Sequence, residues 1–137
     1  MPGIAKPTKL TLRVYQVGFG DCFLLTFHYA SSERHILIDF GSTGMPARSR
    51  LSMEDIAKDI ENECGGKLHA VVATHRHKDH ISGFAKELTF LGEDNLSNLP
   101  AVENLMTMGK NHYVHYGTSS GLEKVLPGVQ IRVLGRD

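Results

Sequence analysis

Three histidines and one aspartate, His75, His77, Asp79 and His80, fall within the short segment Thr74-His75-Arg76-His77-Lys78-Asp79-His80. At the chain's own His and Asp frequencies, that spacing arises by chance on the order of one time in a thousand. Imidazole nitrogen and carboxylate oxygen suit zinc and its first-row neighbours, at ~2.0–2.2 Å from the ion. Side chains two apart on an extended segment point to one side, so His75 and His77 can converge on a single ion. Asp79 and His80, further round the bend, can face a second ion close by. Arg76 and Lys78 alternate with these residues. They either keep the loop solvated or attract an anionic substrate, and both readings stay open.

The elements that must position this cluster come before it. Leu10, Leu12 and Val14 alternate with Thr11, Arg13 and Tyr15, the period of a half-buried strand. Gly18-Phe19-Gly20-Asp21 breaks the run as a turn. Residues 22–27 are continuously apolar and predict a strand buried on both faces. A polar hairpin connection over 29–34 leads to a strand at 35–38, which ends at Asp39-Phe40-Gly41. Ser52, with Asp55 three residues on, opens a helix in the manner of a capping box. Ile56, Ala57, Ile60 and Cys64 share one face of it, and Gly65-Gly66 stops it. A strand over 68–73 then runs directly into the histidine cluster. Strand, helix and returning strand form a βαβ-like unit, which predicts an α/β (α+β) fold with a mixed sheet and helices packed on one face. The cluster would sit at the C-terminal end of a strand, where open α/β sheets place their sites.

Past His80 the pattern weakens. Phe84, Ala85 and Leu88 predict a short helix, residues 102–108 a strand, 121–126 a helical turn and 129–133 a last strand. His112 and His115 read as members of a polar loop, and His28, His35 and His69 as structural histidines within strands.

The composition sets outer bounds. The chain has 137 residues, 41% hydrophobic and 22% charged, which suits one domain (1–137) with one core. Net charge is zero, so no global field draws the protein onto nucleic acid or an anionic membrane, although Arg34, Arg48 and Arg50 would make a local basic patch if they met. The cysteines Cys22 and Cys64 lie in apolar contexts and are expected to be buried, reduced thiols, as in a cytoplasmic protein. Neither a secretory leader nor a run of ~20 apolar residues is visible.

With these residues in view, the sequence resembles the metallo-β-lactamase fold superfamily, whose His-x-His-x-Asp-His signature is complete in His75 to His80. Ile36-Leu37-Ile38-Asp39-Phe40-Gly41 is similar to the family's strand ending in aspartate and glycine, and Ile81-Ser82-Gly83 to the opening of its next helix. Val17-Gly18-Phe19-Gly20-Asp21-Cys22 is similar to the early turn of a bacterial subgroup that includes the soluble domain of DNA-uptake channel proteins.

The resemblance implies the N-terminal half of an αββα sandwich and a metal-dependent hydrolase. His75 and His77 would bind the first metal, Asp79 and His80 the second, with Asp79 also orienting the attacking water. Zinc, as two ions, is the implied metal, with manganese or iron as alternatives. Asp39 and Asp21 would stand behind the ligands, holding histidines or loops in place. Each also has a purely structural reading, as a strand-end cap and as a turn residue. The bond attacked would be of ester type, in a small-molecule or phosphodiester substrate. The family's later ligands have no evident counterpart here, so the chain is expected to be truncated before the second half. That would leave one sheet face bare, to be covered by a missing C-terminal half or a homodimer. The alternative is a non-catalytic metal-binding or interaction module.

Overall fold

The computed structural model describes residues 5–45, 47–48, 51–75, 78–85, 114 and 117–134. Three strands, β1 (Lys9–Val14), β2 (Cys22–His28) and β3 (Glu33–Phe40), form an antiparallel meander. Helix α1 (Met53–Cys64) crosses over the sheet and returns the chain as β4 (Ala70–Val72), parallel to β3. The strand order is β1-β2-β3-β4, a mixed sheet of the α+β class expected from the sequence. A short helix α2 (Lys78–Ile81) and a 3-10 turn (Ser82–Ala85) follow. Among the described residues, no helix is long and apolar enough to cross a membrane.

The start of α1 follows from its cap. The Ser52 hydroxyl accepts the Asp55 N–H at 3.1 Å, and the Asp55 carboxylate accepts the Ser52 N–H at 2.9 Å. Gly65, at φ 63°, ends the helix in the left-handed region, where glycine carries no Cβ penalty. The buried stripe Ile56, Ala57, Ile60 and Cys64 packs on Cys22, Leu24, Leu37 and Phe40 of the sheet. Arg13 of β1 reaches over the same face to Asp59 at 3.0 Å.

The other sheet face is not bare. Phe27 and Ile36 pack with Leu126, and Leu122, Val125, Val129 and Ile131 gather round them. The expected bare face is therefore partly covered by the chain's own later segment, while Leu10, Leu12 and Val14 of β1 stay more than half exposed. The expected strand over 129–133 is absent: Val129 and Ile131 alternate because they bury against the sheet, without joining its ladder. On β2, Cys22, Leu24 and Thr26 are buried on the α1 face, while on the other face Phe27 is buried and Phe23 and Leu25 are half-buried. The short helix expected at Phe84 begins earlier, inside the histidine segment, and gives way to the 3-10 turn. Leu88, the expected strand at 102–108, His112 and His115 lie outside the described residues.

A bulge breaks β3 near its end. Phe23 pairs with Ile38 but Cys22 pairs with Phe40, so Asp39 is an extra residue, and its φ is 57°. Aspartate tolerates this left-handed conformation better than most side chains. The extra residue shifts the alternation by one and turns Phe40 onto the α1 face beside Leu37. There the Phe40 ring packs edge-on to Phe84, with centroids 6.2 Å apart. The backbone of Gly83 lies against the same ring, and a Cβ at Gly83 would overlap it.

The structural histidines tie the sheet at its far end. His35, 5% exposed, shares a 2.9 Å hydrogen bond with Thr26 of β2. His69 accepts the His35 N–H on Nδ1 at 3.0 Å and donates its own N–H to the His35 carbonyl at 2.8 Å.

Two outcomes follow from this packing. Gly83→Ala should destabilise the fold by about 1–3 kcal/mol in urea unfolding, through overpacking against Phe40. Gly44→Ala, with open space around its Cβ position, should stay within about 0.5 kcal/mol. Equal losses in both would show that the ring can move aside. The second outcome concerns pH. Burial holds His35 and His69 below histidine's ordinary 6.5, so the fold binds fewer protons than the unfolded chain. Their contribution is complete above pH 6.5 and is lost as pH falls below it. The loss in unfolding free energy between pH 7.5 and 5.5 should shrink in His35→Gln/His69→Gln, and an undiminished loss would assign it to other groups.

Candidate metal centre

Four segments meet where β3 and β4 end. The turn before β2 is laced to the loop after β3: Thr43 N–H donates to the Phe19 carbonyl at 2.8 Å, and Gly41 N–H to the Asp21 carbonyl at 3.2 Å. The Ser82 hydroxyl accepts the Ser42 N–H at 2.9 Å and donates to the Ser42 carbonyl at 3.0 Å, pinning α2 and its following turn to that loop. The sheet delivers Asp39 from β3, while β4 runs into Thr74 and His75. Helix α2 brings His80 back across the end of the strands.

Asp39 is the centre of this meeting. It is 2% exposed, and a buried carboxylate is costly unless hydrogen bonds replace its water. One oxygen accepts the Thr74 N–H at 2.8 Å. The other accepts the Thr74 hydroxyl at 2.5 Å and lies 2.8 Å from His80 Nδ1. The Asp21 carboxylate, more exposed, approaches His80 Nδ1 at 3.3 Å.

The tautomers follow from counting protons. Thr74 has one hydroxyl proton, and Asp39 takes it. The Thr74 oxygen can then only accept from His75 Nδ1, 3.1 Å away. His80 Nδ1 must likewise carry a proton to face a carboxylate. In both residues Nε2 is then the nitrogen with the lone pair that a metal takes, the arrangement typical of ligating histidines. The two rings lie 4.6 Å apart, centroid to centroid.

Asp21, Asp39 and His80 each bring a potential ligand atom within 4.8 Å of the others. With its oxygens engaged by Thr74 and His80, Asp39 fits a residue that orients a ligand better than one that binds the ion. The donor chemistry therefore fits a divalent ion beside His75 and His80. Of the residues singled out in the sequence, His75, His80, Asp39 and Asp21 are brought together. His77 lies outside the described residues, and Asp79 enters only through its backbone, in α2.

Thr74 has a role that the sequence alone does not assign. The signal was present: a hydroxyl residue directly before the first histidine, opposite a strand-end aspartate. What could not be read was the bulge that turns Asp39 toward it.

The metallo-beta-lactamase superfamily model matches residues 15–89, more than half of the chain. The chain belongs to the metallo-beta-lactamase superfamily. That match spans Asp21, Asp39, Thr74, His75 and His80. The superfamily is made up largely of hydrolytic, metal-binding enzymes, and the fold and the acid–histidine group described above accord with it. No curated protein and no solved structure matches the chain.

Thr74→Val keeps the N–H donor but removes the hydroxyl, leaving buried Asp39 one donor short and His75 without its acceptor. The expected loss is about 1–3 kcal/mol of stability in urea unfolding, with Thr74→Ser restoring most of it. Equal stability of the valine variant would mean that water replaces the hydroxyl.

Proposed function

We propose that this chain is a metal-dependent hydrolase in which His75 and His77 hold one divalent ion and Asp79 and His80 a second. Zinc is the metal this reading favours, because nitrogen and carboxylate donors suit it. The observation that supports the reading is the linked set His75–Thr74–Asp39–His80, in which Nδ1 of each histidine is engaged within the protein and Nε2 is the nitrogen proposed as the metal ligand. Superfamily membership supports it.

Two metal ions held there would lower the pKa of a water toward neutrality and polarise the bond to be cut. The chain's own residues do the rest. Asp39 holds the His80 tautomer and keeps its ring from turning, and Thr74 does the same for His75. Asp79 is proposed to orient the attacking water, and Asp21 to steady His80 from the more exposed side. Ser82 and Ser42 keep α2, and so His80, in place at the sheet end. The bond attacked is proposed to be an ester type, with a phosphodiester first, on the likeness of the Val17-Gly18-Phe19-Gly20-Asp21-Cys22 turn to the DNA-uptake subgroup.

Elemental analysis should find about two zinc ions per chain in the purified protein, and few in His75→Ala/His77→Ala. Hydrolysis of bis(p-nitrophenyl) phosphate should stop on chelation and return with zinc. Mass per particle, measured alongside, shows whether a second copy accompanies the active form. A folded protein with a small fraction of one metal ion per chain would sink the proposal and leave a binding module.

A further inference from the structure

The far end of the sheet carries a second concentration of chemistry that the metal centre does not use. A surface cavity of about 250 Å³ opens there, lined among others by Lys6, Tyr29, Ser31, Ser32, Arg34 and Pro127. We propose that it is a binding site for the phosphate group of a small anion.

Three distant parts of the chain build the cavity, and specific contacts hold them together. The hairpin between β2 and β3 is closed by Tyr29 N–H donating to the Ser32 carbonyl at 2.8 Å. The Tyr29 hydroxyl donates to the Pro127 carbonyl at 2.7 Å, fixing the hairpin to the C-terminal segment. Gly128, at φ 77°, packs so closely on the N-terminal segment that a Cβ would overlap the Ala5 carbonyl oxygen and crowd Lys6. These contacts hold the walls before any ligand arrives, which reduces the ordering that binding requires.

The lining is one-signed. Among the described residues, Lys6 and Arg34 are the cations that line it, and no carboxylate does. Glu33, the next residue to Arg34, points to the other sheet face and pairs there with His28 at 3.2 Å and His35 at 3.6 Å. Among the described residues, neither Lys6 nor Arg34 takes part in an ion pair. Arg34 is half-buried, which weakens its hydration and strengthens its attraction for an anion. The Arg34 guanidinium fork and the Lys6 ammonium, with Ser31 and Ser32 in the same lining, offer more donors than one carboxylate accepts and match a phosphate's near-double charge.

The site is separate from the metal centre. Along β3, Arg34 and Asp39 are five residues apart, roughly 17 Å in a strand. The sequence grouped Arg34 with Arg48 and Arg50. In the structure Arg48 follows the opposite end of β3, Arg50 lies outside the described residues, and Lys6 is the cation beside Arg34.

Calorimetric titration of the full chain with inorganic phosphate tests the site against the metal centre. Saturable binding is expected, weakened about tenfold or more in Arg34→Gln and unchanged in His80→Ala. Lys6→Gln, at an exposed side chain, stands in if Arg34→Gln does not fold. Absence of saturable binding overturns the proposal. So does equal binding by the wild type and both cavity variants, which means an adventitious ion only. Loss in His80→Ala alone also overturns it, since that places phosphate at the metal centre and leaves the hydrolase reading standing.

Discussion

A carboxylate that the fold takes out of water sets the terms for everything at the C-terminal edge of this sheet. Asp39 is 2% exposed, and it is tolerable there only because two donors from Thr74 and one from His80 converge on it. Those donors come from the segment that follows β4 and from α2, which the chain reaches only after crossing the sheet by way of α1. The bulge, the crossover and the turn into α2 are thus three answers to one electrostatic demand. The demand in turn explains how histidines on a short, exposed segment acquire defined tautomers without a rigid element of their own.

The sheet supplies the stiffness that this arrangement needs. One face is sealed by α1 through a continuous apolar cluster, and the other is shared between half-buried side chains and the 122–131 segment. Phe40 connects the two requirements. The same bulge that frees the Asp39 carboxylate also swings the Phe40 ring into the core, where it meets Gly83 and Phe84 beyond α2. Core packing and site geometry therefore share a single backbone irregularity.

Much of the fold was legible in the residues. The capping box at Ser52 and Asp55, the apolar stripe of α1 and the glycine stop are local signals, and they mark α1 to within a residue. Alternation in β1 and the apolar run of β2 were similarly plain. Alternation misled at 129–133, because the same period arises when a segment lies on a sheet face without pairing. The histidine segment announced its chemistry by composition, and Asp39 stood out as a strand-end acid. The role of Thr74 and the bulge did not, because both depend on the pairing of Cys22 and Phe23 with β3, a relation between strands that no single segment carries.

The brevity of β4 bears on how the protein assembles. β1, β2 and β3 are joined by short turns and make local pairs, whereas β4 must close a long excursion to form only three rungs beside β3. In a chain where the meander forms first, Asp39 would stand hydrated at an open strand edge until β4 arrives. Its docking would strip that water away and supply the replacement donors in one event. The order of folding implied is that the histidine-bearing end is completed last, after the meander whose rim it buries.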